Sequence, residues 1–237
     1  MASSCVIGDN IMKNKVIFIN GVNRIGKSRL CIDLATRFPP KIISSDKIQV
    51  YKGLDIISNK ASISERLGMP HHLLGQVQQD INYNSVDFYR DIIAIIETIL
   101  KSNRVTIIIV GSNSFLEALV EFSVNNFKSS FECCFLWMDV SFLVLDLYVS
   151  KRVDQMVDAW VVDEVQEIFD EKVNYNKGVR RDIGVPEMHD YILLEAKLDK
   201  TRKDALLSSS IEKIKENTYA LTHSQVWKIL RQRDEIG

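Results

Sequence analysis

The sequence predicts a three-layer α/β fold, a parallel sheet between helices, with a C-terminal half that is mostly helical. Three observations carry this. Short apolar runs rich in β-branched residues alternate with stretches of helical period, the pattern of repeated strand–helix units. The run Arg104 to Val110 is continuously apolar over most of its length, as in a strand covered on both faces. Between the first run and the first helical stretch lies the spacing G-x-x-x-x-G-K-S, filled by Gly21, Gly26, Lys27 and Ser28. In that strand–turn–helix setting the spacing is a phosphate-binding loop, which narrows the class to a P-loop NTPase-like arrangement.

The elements follow in order. About 14 residues precede the first strand and are expected to be disordered; with Asp9 and no arginine they make a poor transit peptide. Val16 to Asn20 reads as a strand, and Ser28 to Phe38 as a helix with Leu30, Leu34 and Phe38 on one face, ended by Pro39-Pro40. Lys41 to Ser44 is a short strand running into the polar cluster Ser45-Asp46-Lys47. Tyr51 to Tyr83 carries turn signals at Gly53, Gly68, Pro70 and Gly75 and no period, a loop long enough to be functional or mobile. Ser85 to Ser102 is a helix striped by Phe88, Ile92, Ile95, Ile96 and Ile99. The strand Arg104 to Val110 ends at Gly111-Ser112-Asn113, and a helix follows to Glu121. Phe131 to Met138 reads as another buried strand, closed by Asp139. Helices are expected over Phe142–Ala159, Val162–Asp170, Gly178–Tyr191 and Thr201–Arg233. No repeat or linker divides the chain, so residues 1–237 read as a single domain with a helical elaboration.

Composition limits the function. Of 237 residues, 46% are hydrophobic and 26% charged, with net charge −1, so no bulk basic field holds a nucleic acid. No apolar run reaches the length of a membrane span. The cysteines at 5, 31, 133 and 134 lack the C-x-x-C spacing of metal or redox sites and read as core thiols of a reducing compartment. The expected location is cytoplasmic, with a plastid as the alternative.

In open parallel sheets the ligand crevice lies beyond the carboxyl ends of the strands. Four segments occupy that place here: the phosphate loop, Ser45-Asp46, Gly111-Ser112-Asn113 and Asp139. Loop amides and a helix N-terminus attract an anion, Lys27 adds a full charge, and the Ser28 hydroxyl can ligate Mg²⁺. Asp46 reads equally as a general base or metal ligand and as a turn cap. Ser112 can cap the helix that follows it. Adjacent His71 and His72 point different ways and read as packing residues. Phe135, Leu136 and Trp137 read as sheet core, and Tyr51, Phe115 and Met138 as flanking the crevice.

Six blocks in order, the run SRLCIDLATRFPPKIISSDKIQVYKGLDIISNKAS, GMPHHLLG, GSNSFLEALV, FECCFLWMDV, SKRVDQMVDA and RRDIGVPEM, resemble the plant adenylate isopentenyltransferases. More distantly the chain is similar to the tRNA dimethylallyltransferases. The resemblance spans roughly residues 15 to 220. It implies transfer of a dimethylallyl group from dimethylallyl diphosphate to N6 of AMP, ADP or ATP, with release of diphosphate, in cytokinin biosynthesis. By this resemblance Gly21, Asn23, Arg24, Gly26, Lys27 and Ser28 grip the donor diphosphate with Mg²⁺ at Ser28. Asp46 is the base for the N6 proton, Ser112 a partner of that aspartate or of N6, and Arg152 and Arg181 contacts of the diphosphate. Free nucleotides rather than tRNA, no membrane and a monomer are the expected partners and state. The alternatives are tRNA dimethylallylation and a catalytically impaired nucleotide- or diphosphate-binding relative.

Four features depart from the family pattern. Ile25 replaces a Ser, Thr or Gly of the loop and would be strained if the backbone there took positive φ. Val110 replaces a glycine and is expected to narrow the crevice wall. Trp160 replaces a helix-joining glycine, and the chain stops soon after Ile229, where relatives continue.

Overall fold

The computed structural model describes residues 15–22, 25–37, 40–102, 104–120, 127–158, 161–170 and 175–236. The expectations placed on residues 1–14, Asn23, Arg24, Phe38, Pro39, Glu121, Ala159 and Trp160 lie outside those residues. Five parallel strands form the sheet: β1 (Lys15–Asn20), β2 (Lys41–Ser45), β3 (His71–His72), β4 (Thr106–Val110) and β5 (Glu132–Trp137). Their order is β3-β2-β4-β1-β5. β1 pairs with β4 on one side and with β5 on the other.

Because side chains alternate across a strand, each strand feeds two cores. Ile19, Ile42, Ile107 and Ile109 face α1 (Lys27–Ala35) and bury its Cys31. Val16, Phe18, Ile43, Ile108 and Val110 face the opposite, larger core. There α2 (Ser85–Lys101) presents the buried stripe Phe88, Ile92, Ile96 and Ile99. Its start is fixed by a capping box, in which Asn84 Oδ1 accepts from Val86 N–H and Asp87 N–H and the Asp87 carboxylate accepts from Asn84 N–H. α3 (Asn113–Val120) joins this layer through Phe115, which stacks on Phe88 at 4.2 Å between ring centroids. A short α4 (Phe127–Ser130) leads into β5.

The C-terminal half comprises α5 (Phe142–Asp158), α6 (Val161–Gln166), α7 (His189–Leu194) and the 37-residue α8 (Lys200–Ile236). α8, about 55 Å long at the usual helical rise, packs along α5 and touches α3 and α7.

Three expectations change. β5 is an edge strand and not a buried one; Cys134 is exposed and Cys133 half-buried, so of these neighbours neither is a core thiol. Pairing on one side only leaves its outer edge open, a distinction that an apolar run does not encode. Gly178–Tyr191 is not one helix. Residues Gly178–Arg181 form a single 3₁₀ turn, Asp182 is extended, and α7 starts only at His189. Gly178 sits at φ +60, and a Cβ there would lie 2.0 Å from Gln79 O, so the turn is built around a close approach of two backbones. The segment from Tyr51 to Tyr83 is folded turn upon turn. Tyr51 is fully buried, its hydroxyl accepts Tyr83 N–H at 3.2 Å, and His71–His72 within the segment forms β3.

Ile108 is fully buried on the central strand. Ile108→Ala is expected to lower unfolding free energy by about 2–5 kcal/mol, read from the urea midpoint at unchanged slope.

Candidate active site

The phosphate loop is shaped by two glycines with different tasks. Gly26 caps α1 at φ +92, a left-handed conformation that L side chains rarely adopt. Gly21 provides room: a Cβ there would meet the Ile25 Cδ1 at 2.4 Å. Ile25 therefore lies on Gly21 and packs toward the cluster of Val22, Leu145 and Ile229. It is not among the described residues that line the crevice. Lys27 is buried, and its ammonium donates to Gly21 O at 2.8 Å and Val22 O at 2.7 Å. Burial pulls its pKa down to about 8, with the nearby Asp46 charge pulling the other way.

Asp46 stands just beyond β2 and satisfies both of its readings. Its Oδ1 accepts Ile48 N–H at 2.8 Å and Gln49 N–H at 3.1 Å, the bonds of a turn cap. Its Oδ2 occupies the space above Gly111, where a Cβ would be only 2.2 Å away. The missing side chain at the end of β4 is what admits the carboxylate. Val110, by contrast, is buried in the core and narrows nothing. Gly111 N–H and Ser112 N–H both donate to Ser45 O, at 2.9 and 3.0 Å, locking the two strand ends together. Ser112 opens α3: its carbonyl accepts Phe115 N–H, and its hydroxyl lies 3.1 Å from that of Ser114.

These groups line one cavity of about 640 Å³. Gly26, Lys27 and Ser28 form one side; Asp46, Lys47 and Gln49 another; Gly111 and Ser112 the end. Arg181 also reaches it, with Nη2 buried and no hydrogen-bond partner among the described residues. Its neighbour Arg180 is turned away to pair with Asp80. Sequence reasoning missed the fourth wall, which α8 supplies through Thr218, Leu221, Thr222, Gln225 and Lys228. Their spacing of three and four residues puts them on one helical face. Lys47, Arg181 and Lys228 are close enough that the last two, after burial, depress the pKa of Lys47. Such mutual repulsion favours an anion among them.

Other sequence candidates fall elsewhere. Asp139 is exposed beyond the edge strand, where its carboxylate accepts Val140 N–H, and takes no part in the crevice. Tyr51 and Phe115 belong to the core, and the apolar lining comes instead from Ile57, Ile109, Tyr148, Ile183 and Leu221. His71 and His72 lie on the edge strand β3, and the described residues contain no cluster of three or more metal-ligating side chains. Arg152 is outside the lining; its Nη2 donates to Ile56 O at 2.9 Å. Glu164, unnoticed in the sequence, accepts Ile56 N–H and Ile57 N–H at 2.9 and 2.8 Å. Together they hold the turn whose Ile57, Ser58 and Asn59 form part of the wall, from positions about a hundred residues away in the chain.

Sheet order, loop and crevice define a phosphate-loop α/β protein with a cationic site at the carboxyl ends of its strands. The chain belongs to the IPP transferase family, whose model matches residues 49–129 and 121–229. It is 51% identical over 222 residues to adenylate isopentenyltransferase 5, chloroplastic, of Arabidopsis thaliana, covering 92% of this chain and 67% of that one. It is 46% identical to adenylate isopentenyltransferase 7, mitochondrial, of the same plant, covering 92% and 67%. Hence it spans about two thirds of the length of these relatives. Among solved structures, a eukaryotic dimethylallyltransferase acting on tRNA superposes with TM-score 0.78 at 23% identity, covering 92% of this chain and 70% of that one. A tRNA isopentenylpyrophosphate transferase from Bacillus halodurans gives 0.74 at 22%, covering 91% and 86%. At such identity these two speak for the fold alone.

The buried Lys27 ties anion affinity to pH. Its value near 8 lies below the ordinary 10.5, so its charge opposes folding below pH 8, and that opposition fades between pH 8 and 10.5. An anion held against this ammonium would need the charged form. Its affinity is expected to fall above pH 8, by up to about tenfold per pH unit, in calorimetric titrations. In Lys27→Met the affinity is expected to be weak and flat across this range.

Proposed function

We propose that this chain transfers the dimethylallyl group of dimethylallyl diphosphate to N6 of a free adenine nucleotide, AMP, ADP or ATP, for cytokinin biosynthesis. One observation carries the reading: the phosphate-loop residues Gly26, Lys27 and Ser28 line the same cavity as Asp46, with Arg181 also in its lining. The relatives named adenylate isopentenyltransferases support the same acceptor.

In this reading the loop amides and Lys27 hold the donor diphosphate, and Arg181 adds its free guanidinium edge. The N6 lone pair attacks C1 of the prenyl group as the C1–O bond breaks. The electron pair of that bond leaves on diphosphate, and the N6 proton passes to Asp46 Oδ2. Oδ1 stays engaged by two backbone N–H groups, which fixes the base without consuming its second oxygen. The main electrostatic task is charge building on the leaving diphosphate, met by preorganised cations in a site partly screened from water. Ser28, in the cavity beside Lys27, would supply a hydroxyl ligand to Mg²⁺ held with the diphosphate there. When bound, Mg²⁺ neutralises diphosphate charge.

The cations Lys47, Arg181 and Lys228 suit the phosphate of a free nucleotide, a compact anion. Arg152 serves the site indirectly, through the turn at Ile56. Loop contacts from Asn23 and Arg24 remain part of the proposal. The reading takes the chain to act as a monomer in the cytosol or a plastid. Relatives carry chloroplast and mitochondrial names, and no helix among the described residues is long and apolar enough to cross a membrane.

Purified protein with labelled dimethylallyl diphosphate, Mg²⁺ and AMP, ADP, ATP or tRNA in parallel tests this. Prenylated free nucleotide is the expected product; prenylated tRNA alone, or no product from any acceptor, overturns the reading. Asp46→Asn keeps an oxygen for the turn cap and removes the base, so turnover is expected to fall by about 10²–10⁴-fold with donor affinity little changed. If Asp46→Asn retains most of its rate, the aspartate is only a cap.

A further inference from the structure

The last turns of α8 pack against the back of the phosphate loop. Gln232 is fully buried, an uncommon place for a glutamine. Its amide nitrogen donates to Asn113 O at 3.2 Å and to Glu117 Oε1 at 3.1 Å, both on α3. Its oxygen lies 3.5 Å from Asn20 Nδ2, a long contact, and Asn20 Oδ1 accepts Gly21 N–H at 2.7 Å. One side chain thereby links the end of β1, where the loop begins, to the start of α3, where Ser112 sits. A parallel apolar link runs beside it. Val22 and Ile25 of the loop meet Val226 and Ile229 of α8, with Leu145 of α5 closing the cluster. Gln225 and Lys228, on the adjoining face of the same helical turns, line the crevice.

A glycine-rich curl has little rigidity of its own, and aiming its N–H groups at an anion requires support from packed neighbours. We propose that Gln232 is a positioning residue for the phosphate loop, and that Ile25 is the loop's own apolar contact with the helix carrying it. The C-terminal turns of α8 then set the geometry of the anion cradle while presenting Lys228 to the same cavity. Ile25, the conspicuous departure from the family pattern, becomes a strut instead of a defect. The inference rests on the reading of the loop as a diphosphate site.

The test uses the whole chain and three variants: Gln232→Met, Ile25→Ser and, as control, Arg231→Ala. Arg231 reaches the same Glu117 oxygen as Gln232 from the exposed side of α8, so its removal takes away that ion pair and spares the contacts of Gln232 with Asn113 O and Asn20. Inorganic pyrophosphate binding is measured by calorimetry, and amide hydrogen exchange over residues 20–28 is measured without ligand, both below the melting range of each variant. Gln232→Met and Ile25→Ser are expected to weaken pyrophosphate by about tenfold and to speed loop exchange, as displaced first contacts do. Arg231→Ala is expected to leave both readouts within about twofold, whatever its melting temperature. Wild-type exchange and affinity in Gln232→Met and Ile25→Ser overturn the proposal, as does an equal effect of Arg231→Ala. Ile25→Ser alters a half-buried side chain and gives the answer if Gln232→Met does not fold. Should the wild type itself fail to bind pyrophosphate, the donor-site reading falls, and loop exchange still decides the positioning role.

Discussion

The site depends on a carboxylate seated in a gap. Asp46 Oδ2 occupies the place that any side chain at position 111 would take, and its other oxygen is tied to Ile48 and Gln49 N–H. A group held by backbone at one oxygen and by exclusion at the other has little conformational entropy left to lose on meeting substrate. Across the cavity, Lys27 is held in the same manner, by two loop carbonyls. In the proposed reading the reaction centre is the space between these two groups of opposite charge.

Burial gives these charges their chemical value. An exposed lysine binds a diphosphate weakly, because water and salt screen it. Lys27 and Lys47 instead carry a desolvation cost, which lowers their pKa values, and Arg181 holds a buried nitrogen without a hydrogen-bond partner among the described residues. An incoming anion relieves these costs together.

Long-range supports explain how a turn-rich crevice keeps its shape. Glu164 and Arg152 clamp the Ile56 turn, Gln49 reaches Ser58 O and Asn59 O at 3.1 and 3.2 Å, and Gln232 joins β1 to α3. Each of these polar groups makes at least one bond to backbone, which fixes main-chain position directly, and Gln232 adds side-chain contacts with Glu117 and Asn20. The helical C-terminal half is therefore part of the site's frame, and α8 contributes a wall of the cavity as well.

Features encoded over a few neighbouring residues are legible in the chain itself. The strand–loop–helix spacing gave Gly21, Gly26, Lys27 and Ser28; the stripe at Phe88, Ile92, Ile96 and Ile99 gave α2; and Asp46 and Ser112 followed from their place at strand ends. Features that depend on pairing between distant segments emerge with the folded chain. An apolar run does not state whether it will lie at the centre or the edge of a sheet, so β5 and its cysteines were misplaced, and Asp139 with them. Thr218, Thr222 and Lys228 are unremarkable on a long amphipathic helix until that helix is laid over the strand ends. The direction of Ile25 is likewise hidden in the sequence, because it is set by Gly21 and by a cluster completed more than two hundred residues later.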